Sequence, residues 1–554
     1  MSKNLSKLSG RKGLENNLFD KLGEIAKSSG TIDNENMRNV ANEYLVGTAN
    51  IYGTSTFYDF LKPENKGKEI YICSGSTCLL AGTQDKVKEK IGEHFSEDKV
   101  GHMVCLGRCH ENSSFNYNGS NYSGDSINSL ETIIASKEVK IDRYHIESRG
   151  EKILTGSFVG VAAVKSSLEK ALAEGKDASL SEIKTSNIRG RGGAGFPAGF
   201  KLESCRNEKD PEKYIVCNAD EGDPGAFSDR YLLEHQPWAV IAGMIIAGYI
   251  TGAKWGVLYI RAEYPESIDI CEAAVKELEE NNLLGANILG SELSFKLKVI
   301  KAKGAYICGE ETSMLSSIEG QRAEVRVRPP YPTQSGLFGK PTVVNNVETL
   351  AAYPHIINKG GEWYKNVGTA KSSGTKLVSL DSFFVQPGLY EVEMGTPLST
   401  VIYDLGKGFK EDVKAMHIGG PLGGLVPVSE INRLNLSFES FSDNGFLMGH
   451  ASVVCIPETY PLVNYLEHLF EFTAAESCGK CFPCRLGSVR GMEMLRKAQN
   501  EEYRIDRELF DDLLETLEQG SLCALGGGLP LPIKNALQYF SEELKPYFQS
   551  TTPL

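Results

Sequence analysis

Eight of the thirteen cysteines fall into two groups whose spacing suits metal binding. The group near the end of the chain has the pattern C-x2-C-x2-C and a remote fourth cysteine, which is typical of a [4Fe–4S] cluster. Zinc knuckles hold their cysteines in pairs, so this triple disfavours zinc. Lys480 and Arg485 lie beside it and would offset the negative charge of a cluster. The four predicted ligands are Cys478, Cys481, Cys484 and Cys523.

The first group of cysteines has C-x4-C and C-x3-C spacing, and each pair follows a short strand-like run, at residues 69–73 and 100–104. Four thiolates at the ends of two neighbouring strands can hold a [2Fe–2S] cluster. Zinc is the alternative ion, although structural zinc sites favour the tighter C-x2-C spacing. The four predicted ligands are Cys73, Cys78, Cys105 and Cys109.

A glycine-rich stretch, GRGGAGFPAGFK at residues 190–201, could approach a phosphate or an aromatic ring closely, because glycine has no Cβ. Arg191 and Lys201 add positive charge at its two ends. The letters match G-x-G-x-x-G, but that fingerprint should follow a strand, whereas residues 179–188 have the apolar spacing of a helix. A phosphate-binding loop of another design and a flexible surface loop are the two interpretations left open.

Three further stretches combine glycine with acids or amides after predicted strands. The predicted strand at 214–218 runs into NADEGDPGAF, where three clustered acids are costly if they are buried without partners. The predicted strand at 296–301 precedes GAYICGEETS, and a glycine turn at 336–339 precedes adjacent asparagines. Each motif alone fits a solvated turn or a helix cap. Next to a flavin or a nicotinamide, the same groups could bind ribose hydroxyls and ring N–H groups.

Composition narrows the class of protein. A chain of 554 residues predicts three or four domains. The net charge of −13 argues against binding to nucleic acid or to an anionic membrane. The most apolar run, residues 237–253, is short for a membrane span, contains glycines and precedes a strand-like run at 255–260, so it predicts a core helix. The chain opens without a secretory signal pattern, and its grouped cysteines require reduced thiols, so we expect a cytoplasmic protein.

Apolar spacing divides the rest of the chain into helical and strand-rich stretches. Residues 1–65 predict a small helical bundle, residues 136–155 a polar linker and residues 161–172 a helix. Residues 374–449 alternate short apolar runs with glycine turns, which predicts a small β-rich domain without chemistry of its own. His417 within it has no nucleophile or metal-ligand spacing beside it, so we expect it to be structural. The last hundred residues are helical.

The first part of the chain resembles a known iron–sulfur subunit. Residues 47–58, GTANIYGTSTFY, together with the first four cysteines, resemble the small thioredoxin-like [2Fe–2S] subunit of complex I-type NADH dehydrogenases. The resemblance covers about residues 10–135 and includes all four ligands. One departure is HENSS, at residues 110–114, where the family carries small apolar residues and a proline. It changes the surroundings of the cluster without removing a ligand.

The remaining chain, about residues 155–554, resembles the NADH- and FMN-binding flavoprotein subunit of complex I and its soluble relatives. The glycine-rich stretch, the acidic motifs and the paired asparagines occur in the order that this family shows. The resemblance implies that FMN is bound by Gly190, Arg191, Gly192, Lys201, Asn218, Asp220, Glu221, Tyr306, Gly309, Glu310, Asn345 and Asn346. It implies that NAD(H) or NADP(H) is bound by Phe196, Lys201, Asp223, Glu311, Arg328 and Tyr331, with Glu311 positioning the nicotinamide as the catalytic residue.

Several departures from the family fall where the adenosine half of the nucleotide would lie. Leu202 occupies a position where the family usually has tryptophan, and Ser204 occupies one where the family often has an aromatic residue. Asp223 is shorter than the usual glutamate, Arg328 replaces lysine, and Tyr331 replaces phenylalanine. Arginine can hold a 2′-phosphate with two hydrogen bonds, and a shorter acid repels that phosphate less. The choice between NAD and NADP is therefore open at this stage.

The two resemblances together imply a multidomain α/β protein. Its expected parts are a helical bundle plus thioredoxin-like [2Fe–2S] domain at 1–138, a linker at 139–160, a Rossmann-like FMN- and NAD(P)H-binding domain at 161–370, a β-grasp domain at 371–450, and a C-terminal helical bundle with the [4Fe–4S] cluster at 451–554.

The fusion of both parts resembles the diaphorase subunits of soluble NAD-linked hydrogenases and formate dehydrogenases. It implies an NAD(P)H:acceptor oxidoreductase that passes electrons between NAD(P)H, FMN and iron–sulfur clusters, with electron bifurcation as a variant. The chain has no recognisable site for hydrogen or formate, so we expect a hetero-oligomer with a catalytic partner subunit that carries further clusters. The alternatives are a non-catalytic scaffold or relay subunit and a structural protein that binds zinc through the same cysteines.

Overall fold

The computed structural model describes residues 14, 17–29, 32–136 and 142–549. Within these residues the chain forms three sheets surrounded by helices, a mixed α/β architecture of several domains. The predicted linker and the ends of the first and last predicted domains fall partly on residues 1–13, 15–16, 30–31, 137–141 and 550–554, which lie outside the described residues.

The strands of the described chain are β1 Ile70–Cys73, β2 Val100–Met103, β3 Phe115–Tyr117, β4 Ser120–Tyr122, β5 His145–Arg149, β6 Tyr214–Ala219, β7 Trp255–Ile260, β8 Lys296–Lys301, β9 Thr342–Asn346, β10 Thr375–Leu380, β11 Gly388–Glu393, β12 Val413–Ile418, β13 Gly424–Pro427 and β14 Ser452–Pro457.

The α-helices of the described chain are α1 Leu18–Ser29, α2 Asn34–Glu43, α3 Thr48–Ser55, α4 Ser76–Leu80, α5 Gln84–Gly92, α6 Leu130–Ser136, α7 Gly160–Glu174, α8 Lys176–Thr185, α9 Ala198–Asn207, α10 Ser228–His235, α11 Pro237–Thr251, α12 Pro265–Glu280, α13 Glu311–Ile318, α14 Pro332–Ser335, α15 Val347–Lys359, α16 Gly361–Lys365, α17 Phe438–Asp443, α18 Leu462–Glu476, α19 Ser488–Asn500, α20 Arg507–Gly520, α21 Ala524–Gly528, α22 Pro530–Tyr539 and α23 Ser541–Leu544. Two π-helical turns lie at Thr400–Leu405 and Pro483–Gly487.

The thioredoxin-like part has a four-stranded sheet in the order β2-β1-β3-β4. Strands β1 and β2 are parallel, and Cys73 at the end of β1 pairs in register with Met103 at the end of β2. The segments that follow these two strands therefore start side by side and carry the remaining three cysteines of the first group, with Cys78 in α4. The predicted strands at 69–73 and 100–104 are confirmed.

The second sheet is entirely parallel, in the order β8-β7-β6-β9, and has helices on both faces. Because side chains alternate along a strand, Ile215 and Cys217 of β6 face one core while Tyr214 and Val216 face the other. The first core includes α11 and α15. The second includes residues of α1 and α2, so the N-terminal helices pack on the flavoprotein part. The predicted strands at 214–218, 255–260 and 296–301 are confirmed.

Helix α11 is buried on almost all sides, as its lack of polar residues predicts. It packs along α15, and Gly243 allows the two helices to approach, because a Cβ on this residue would overlap the carbonyl oxygen of Leu350. The predicted core helix at 237–253 is confirmed. Among the residues that the structure describes, none of the helices combines the length and the apolar character needed to cross a membrane.

The third sheet has six strands in the order β13-β12-β14-β10-β11-β5. Its edge strand β5 comes from the interval 139–160, which the sequence predicts to be a linker, and it runs parallel to β11. The segment after β5 is also fixed, because the carboxylate of Glu391 accepts hydrogen bonds from the backbone N–H groups of Ile153, Leu154 and Thr155 (2.8–2.9 Å). Because β5 is an exposed edge strand, its residues are mostly polar, and the sequence alone does not distinguish it from a linker.

The close approach of α11 and α15 predicts that a larger residue at position 243 destabilises the protein. Gly243→Ala should lower the apparent Tm, because inserting atoms into a packed core costs about 1–3 kcal/mol. A matched control is Gly53→Ala in α3, where a Cβ would meet nothing within 4 Å. That change should be neutral or stabilising by about 0.5–1 kcal/mol, because alanine is the better helix former. Equal effects of the two substitutions in thermal unfolding of the purified protein would contradict this packing.

Candidate cofactor sites

A cavity of about 1140 Å³ opens at the carboxyl ends of the parallel strands. The chain runs from β6 to β7 and β8 on one side and then returns to place β9 on the other side of β6. Ligands of such sheets bind where the strand order reverses in this way. Asn218 near the end of β6 and Asn346 at the end of β9 are partners in register, which brings two of the predicted motifs together.

The glycine-rich stretch forms a closed loop at this edge of the sheet. Arg189 and Pro197 form an isolated antiparallel bridge, and the N–H of Gly190 donates to the carbonyl of Phe196 (2.8 Å). A Cβ on Gly192 would lie 3.1 Å from the Cβ of Asn346, so the loop rests on the end of β9. The loop joins α8 to α9, which explains why the strand-to-helix context of the dinucleotide fingerprint is missing.

Almost all residues that the sequence predicts to bind FMN or the nucleotide line this one cavity. They are Gly190, Gly192, Phe196, Lys201, Asn218, Asp220, Glu221, Asp223, Tyr306, Gly309, Glu310, Glu311, Arg328, Tyr331, Asn345 and Asn346.

Arg191 is the exception among the predicted residues. Its side chain is buried away from the cavity, where the guanidinium donates to the hydroxyl of Tyr364 (3.2 Å) and to the carbonyl of Ser373. The arginine that lines the cavity at this end of the loop is Arg189, which lies 4.3 Å from the ring centroid of Phe438 and forms an ion pair with Glu439 (2.5 Å). Residue types alone do not distinguish two arginines that lie two positions apart in a loop.

The acidic side chains in the turn after β6 are buried or partly buried. Glu221 accepts hydrogen bonds from the N–H groups of Asp229 (2.9 Å) and Arg230 (3.1 Å) at the start of α10, so it caps that helix. Burial raises the pKa of Asp220 well above its usual value. Its Oδ2 atom has no hydrogen-bond partner among the described residues, and the residue lines the cavity. Such an oxygen suits a ligand that donates a hydrogen bond, as a flavin ring N–H or a ribityl hydroxyl does.

The two acids after β8 have different partners. Glu310 caps α13 and accepts from the N–H groups of Thr312 (2.9 Å) and Ser313 (2.8 Å). Glu311 lies between two cations, Lys201 (Nζ to Oε2, 2.9 Å) and Arg328 (Nη1 to Oε1, 3.0 Å). The Glu311 carboxylate is therefore held in one place on the cavity wall by two charge-assisted hydrogen bonds.

Three aromatic side chains stand exposed at the mouth of the cavity. Phe196 and Phe200 meet edge to face with their ring centroids 5.7 Å apart, and Tyr331 is more than half exposed. Exposed aromatic rings on a cavity rim can stack on a planar ligand such as a nucleotide base. Phe200 was not among the predicted residues, although it lies one residue before Lys201.

The stretch that the sequence predicts to be without chemistry also forms part of the wall. Its cavity-lining residues include Gly419, Leu422, Phe438, Glu439, Met448 and Gly449, and His450, which directly follows the stretch, also lines the cavity. His450 forms an ion pair with Asp223, whose other carboxylate oxygen accepts from the hydroxyl of Tyr306. In the sequence, His450 follows a glycine before a strand and carries no motif that would single it out. His417 is buried against Tyr465 (Nδ1 to OH, 2.7 Å), which fits its expected structural role.

The first four predicted cluster ligands are all buried, and the thiols of Cys78 and Cys105 both interact with that of Cys73. The sulfurs of Cys105 and Cys109 are 3.3 Å apart, and a Cβ on Gly75 would lie 3.5 and 3.6 Å from the sulfurs of Cys73 and Cys105. The N–H of Gly225 donates to the sulfur of Cys109 (3.2 Å). Four converging thiols with an N–H donor fit an iron–sulfur cluster.

The residues after Cys109 replace the small apolar residues of the family with a polar network. His110 contacts the carboxylate of Asp142 (3.1 Å), which also pairs with Arg108 and with Arg230 of α10. The departure from the family pattern thus connects the cluster loop to the segment that leads into β5.

The last four predicted ligands lie where α18, α19 and α21 meet. Cys478 and Cys484 are buried, whereas Cys481 and Cys523 are partly exposed. Burial raises the pKa of Cys484 to about 11 and that of Cys523 to about 12, so bound iron must displace their protons. The guanidinium of Arg322 donates to the carbonyl of Cys478 (3.0 Å) and adds positive charge, which suits an anionic cluster.

Comparison with known families matches three parts of the chain. Residues 6–138 match the thioredoxin-like [2Fe–2S] ferredoxin family, residues 183–355 match the Nuo51 FMN-binding domain, and residues 464–547 match the NADH-ubiquinone oxidoreductase-F iron–sulfur binding region. These three matches contain the two cysteine groups and most of the cavity.

Similar proteins come from hydrogenases and from NADH-quinone oxidoreductases. The NAD-reducing hydrogenase HoxS subunit alpha of Cupriavidus necator is 32% identical over 95% of this chain and 91% of its own length. The NADP-reducing hydrogenase subunit HndC of Solidesulfovibrio fructosivorans is 42% identical over 65% of this chain and 74% of its own. An NADH-quinone oxidoreductase subunit of Rhizobium meliloti is 40% identical over 68% of this chain and 90% of its own.

A solved structure has the same fold over nearly the whole chain. The crystal structure of an NAD+-reducing [NiFe]-hydrogenase in the H2-reduced state contains a chain that superposes with a TM-score of 0.85 and 29% identity. The match covers 96% of this chain and 92% of that one. The protein therefore belongs to the family of NADH dehydrogenase flavoprotein subunits, in the form that joins a thioredoxin-like [2Fe–2S] domain, an FMN-binding domain and a [4Fe–4S] region in one chain.

Proposed function

We propose that this chain is the diaphorase subunit of a multi-subunit oxidoreductase and exchanges electrons between NAD(P)H and a partner through FMN and two iron–sulfur clusters. The observation that carries the proposal is that the segments which form the wall of one cavity also contact or adjoin both cysteine groups. Gly225, in the turn that supplies Asp220 and Asp223 to the cavity, donates to the sulfur of Cys109. On the other side, Ala524 and Leu525 form part of the cavity wall directly after Cys523.

The cavity has the groups that FMN and a nicotinamide require. The glycine loop allows a ligand to come close to the ends of β6 and β9. The oxygen of Asp220 that lacks a partner can accept a hydrogen bond from that ligand. Bound FMN would supply the exchange of a hydride with the nicotinamide and of single electrons with the clusters. The chain itself holds and orients the ligands: Lys201 and Arg328 fix the carboxylate of Glu311, which positions the nicotinamide.

The pairing of charges supports NAD(H) as the preferred nucleotide. Arg328 is held by Glu311 (3.0 Å) and lies 3.7 Å from Glu310, so its guanidinium is already neutralised. A 2′-phosphate bound there would lie beside two carboxylates and be repelled by them. Asp223 is engaged by His450 and Tyr306, so its carboxylate already has partners within the protein.

An exposed apolar surface surrounds the [4Fe–4S] ligands and suits a partner subunit. Phe482 is 68% exposed, Leu486 57% and Leu522 40%, and all three lie close to ligand cysteines in the chain. Apolar side chains around a partly exposed redox site form the surface on which an electron-transfer partner would dock. We propose that the partner carries a further cluster that receives electrons here. We also propose a cytoplasmic location, because eight cluster-binding thiols require a reducing compartment.

The proposed activity predicts a coloured, NADH-reducible protein. Anaerobically purified protein should show flavin absorbance, and NADH should produce EPR signals of both a [2Fe–2S] and a [4Fe–4S] cluster. Dye reduction with NADH should exceed that with NADPH. Glu311→Gln should lower kcat/KM for NADH by about tenfold to a hundredfold, because misplacing a reacting group by about 1 Å can cost that much. A colourless zinc protein would refute the redox function, and a cofactor-loaded protein without turnover would indicate a scaffold.

The assignment of the [4Fe–4S] ligands can be tested by removing one of them. Cys481→Ala should abolish the EPR signal of the [4Fe–4S] cluster and lower the iron content, while the flavin absorbance and the [2Fe–2S] signal persist. Cys205→Ala serves as the control, because Cys205 is buried in α9 and belongs to neither group. If both variants keep the [4Fe–4S] signal, another residue supplies the ligand.

The apolar surface predicts where the partner binds. The double variant Phe482→Glu and Leu486→Glu should lose the partner during affinity purification from the native host, yet keep NADH-driven dye reduction. Val385→Glu is the control, because Val385 is similarly exposed (53%) in the segment between β10 and β11. Retention of the partner by the double variant would place the docking surface elsewhere.

A further inference from the structure

An ion pair joins the glycine-rich loop to α17, and the proposed function does not use it. Arg189 lies in the loop between α8 and α9, and Glu439 lies in α17, which follows β13 in the chain. Nη1 of Arg189 is 2.5 Å from Oε1 of Glu439, and 23% of the Arg189 side chain and 28% of the Glu439 side chain are exposed. Both residues line the cavity that we assign to FMN and the nucleotide.

Each partner of this ion pair is also held by its own surroundings. Nε of Arg189 donates to the carbonyl of Gly195 (2.6 Å), so the guanidinium connects two ends of the loop. Its carbon Cζ lies 4.3 Å from the ring centroid of Phe438. The second oxygen of Glu439 accepts from the hydroxyl of Ser372 (2.7 Å), in the segment before β10. The pair therefore fastens the loop to α17 and to the start of the six-stranded sheet.

The backbone of the loop is shaped for this contact. Gly195 has a φ of +60°, and a Cβ on it would lie 3.0 Å from Nη2 of Arg189 and 3.0 Å from the ring of Phe438. Gly193 has a φ of +123°, and its Cβ would lie 3.9 Å from the backbone of Gly449, so the loop also packs on the segment after α17. Two residues in a backbone conformation that favours glycine thus bring the loop against this side of the cavity.

The carboxylate of the pair is ionised at neutral pH. Burial raises the pKa of Glu439, but the hydrogen bonds from Ser372 and Arg189 lower it, and the pKa is lowered overall. The contact is therefore a charge-assisted hydrogen bond, which is stronger than one between neutral groups. Its partial burial limits the screening of the two charges by salt.

We propose that the pair of Arg189 and Glu439 is a latch that retains FMN, because it holds the loop against α17 and so slows the release of the bound cofactor. The inference rests on the proposed function, since it requires FMN in this cavity. The loop forms one part of the cavity wall, and α17 with the segment after it forms another. A ligand enclosed by both parts leaves faster when they can separate, and the latch opposes that separation. Arg189 is in this sense a positioning residue.

The test measures how fast FMN leaves the full-length, cofactor-loaded protein, from the rise of free-flavin fluorescence after dilution. Arg189→Gln and Glu439→Gln should each raise the release rate about tenfold, because each removes a hydrogen bond between charged groups. The double variant should match the single variants, because both residues act through one interaction. Arg189→Lys keeps the charge and should release FMN more slowly than Arg189→Gln.

The Glu439 variant separates a latch from a direct ligand of FMN. If Arg189 bound FMN itself, Glu439→Gln would free the guanidinium for the cofactor, and the release rate would fall or stay unchanged. That result would overturn the inference. The EPR signals of both clusters should persist in each variant and show that it is folded. If the glutamine variants lose these signals, Glu439→Asp, which shortens the side chain but keeps its charge, should still raise the release rate, and a wild-type rate would overturn the latch.

A matched control lies on the same loop. Glu203 pairs with Lys184 (2.9 Å) and joins α8 to α9, the two helices that flank the loop, on a surface outside the cavity wall. Glu203→Gln should release FMN at the wild-type rate, and a rise equal to that of Glu439→Gln would overturn the specific role of the latch. A wild-type protein that contains no FMN would instead refute the proposed function.

Discussion

Four carboxylates lie buried or partly buried within ten residues after β6, and the arrangement of the cofactor sites depends on how each one is compensated. Asp220, Glu221, Asp223 and Asp229 would repel one another and resist burial if they lacked partners. The start of α10 satisfies Glu221, and His450 satisfies Asp223. The amide of the last residue of β9 donates to Asp229 (2.6 Å). Asp220 keeps one oxygen free on the cavity wall, where a ligand completes the set.

The same turn connects parts of the chain that are far apart in sequence. Arg261, at the end of β7, donates to the carbonyl of Glu221 and to that of Val104, just before the first cluster's third cysteine. Gly225 reaches the sulfur of Cys109, and a Cβ on Gly225 would overlap the side chain of Val454 in β14. Because segments of all three described sheets or their loops meet at one short turn, a shift of this turn moves the cavity wall and the surroundings of the first cysteine group together.

Much of the fold could be predicted from the sequence, because its strongest signals are local. The cysteine spacings alone predicted the two groups of four ligands. The apolar runs predicted the buried strands β6 and β8, and the acidic motifs follow these two strands. Arg191 and Arg189 show the limit: loop conformation decides which guanidinium faces the cavity, and residue type does not. Strand β5 was hidden because an exposed edge strand has the composition of a linker. His450 was missed because its role depends on a partner more than two hundred positions away in the chain.

The position of β5 also determines how this protein could be divided into two chains. The thioredoxin-like part ends with α6, whereas β5 completes a sheet whose other strands all lie beyond residue 374. Asp142, just before β5, pairs with Arg230 of the flavoprotein part. A break before residue 142 would leave that sheet and that ion pair intact, whereas a break at the end of the predicted linker would remove the edge strand from its sheet. We therefore expect the boundary between the thioredoxin-like part and the flavoprotein part to lie before Asp142, ahead of β5.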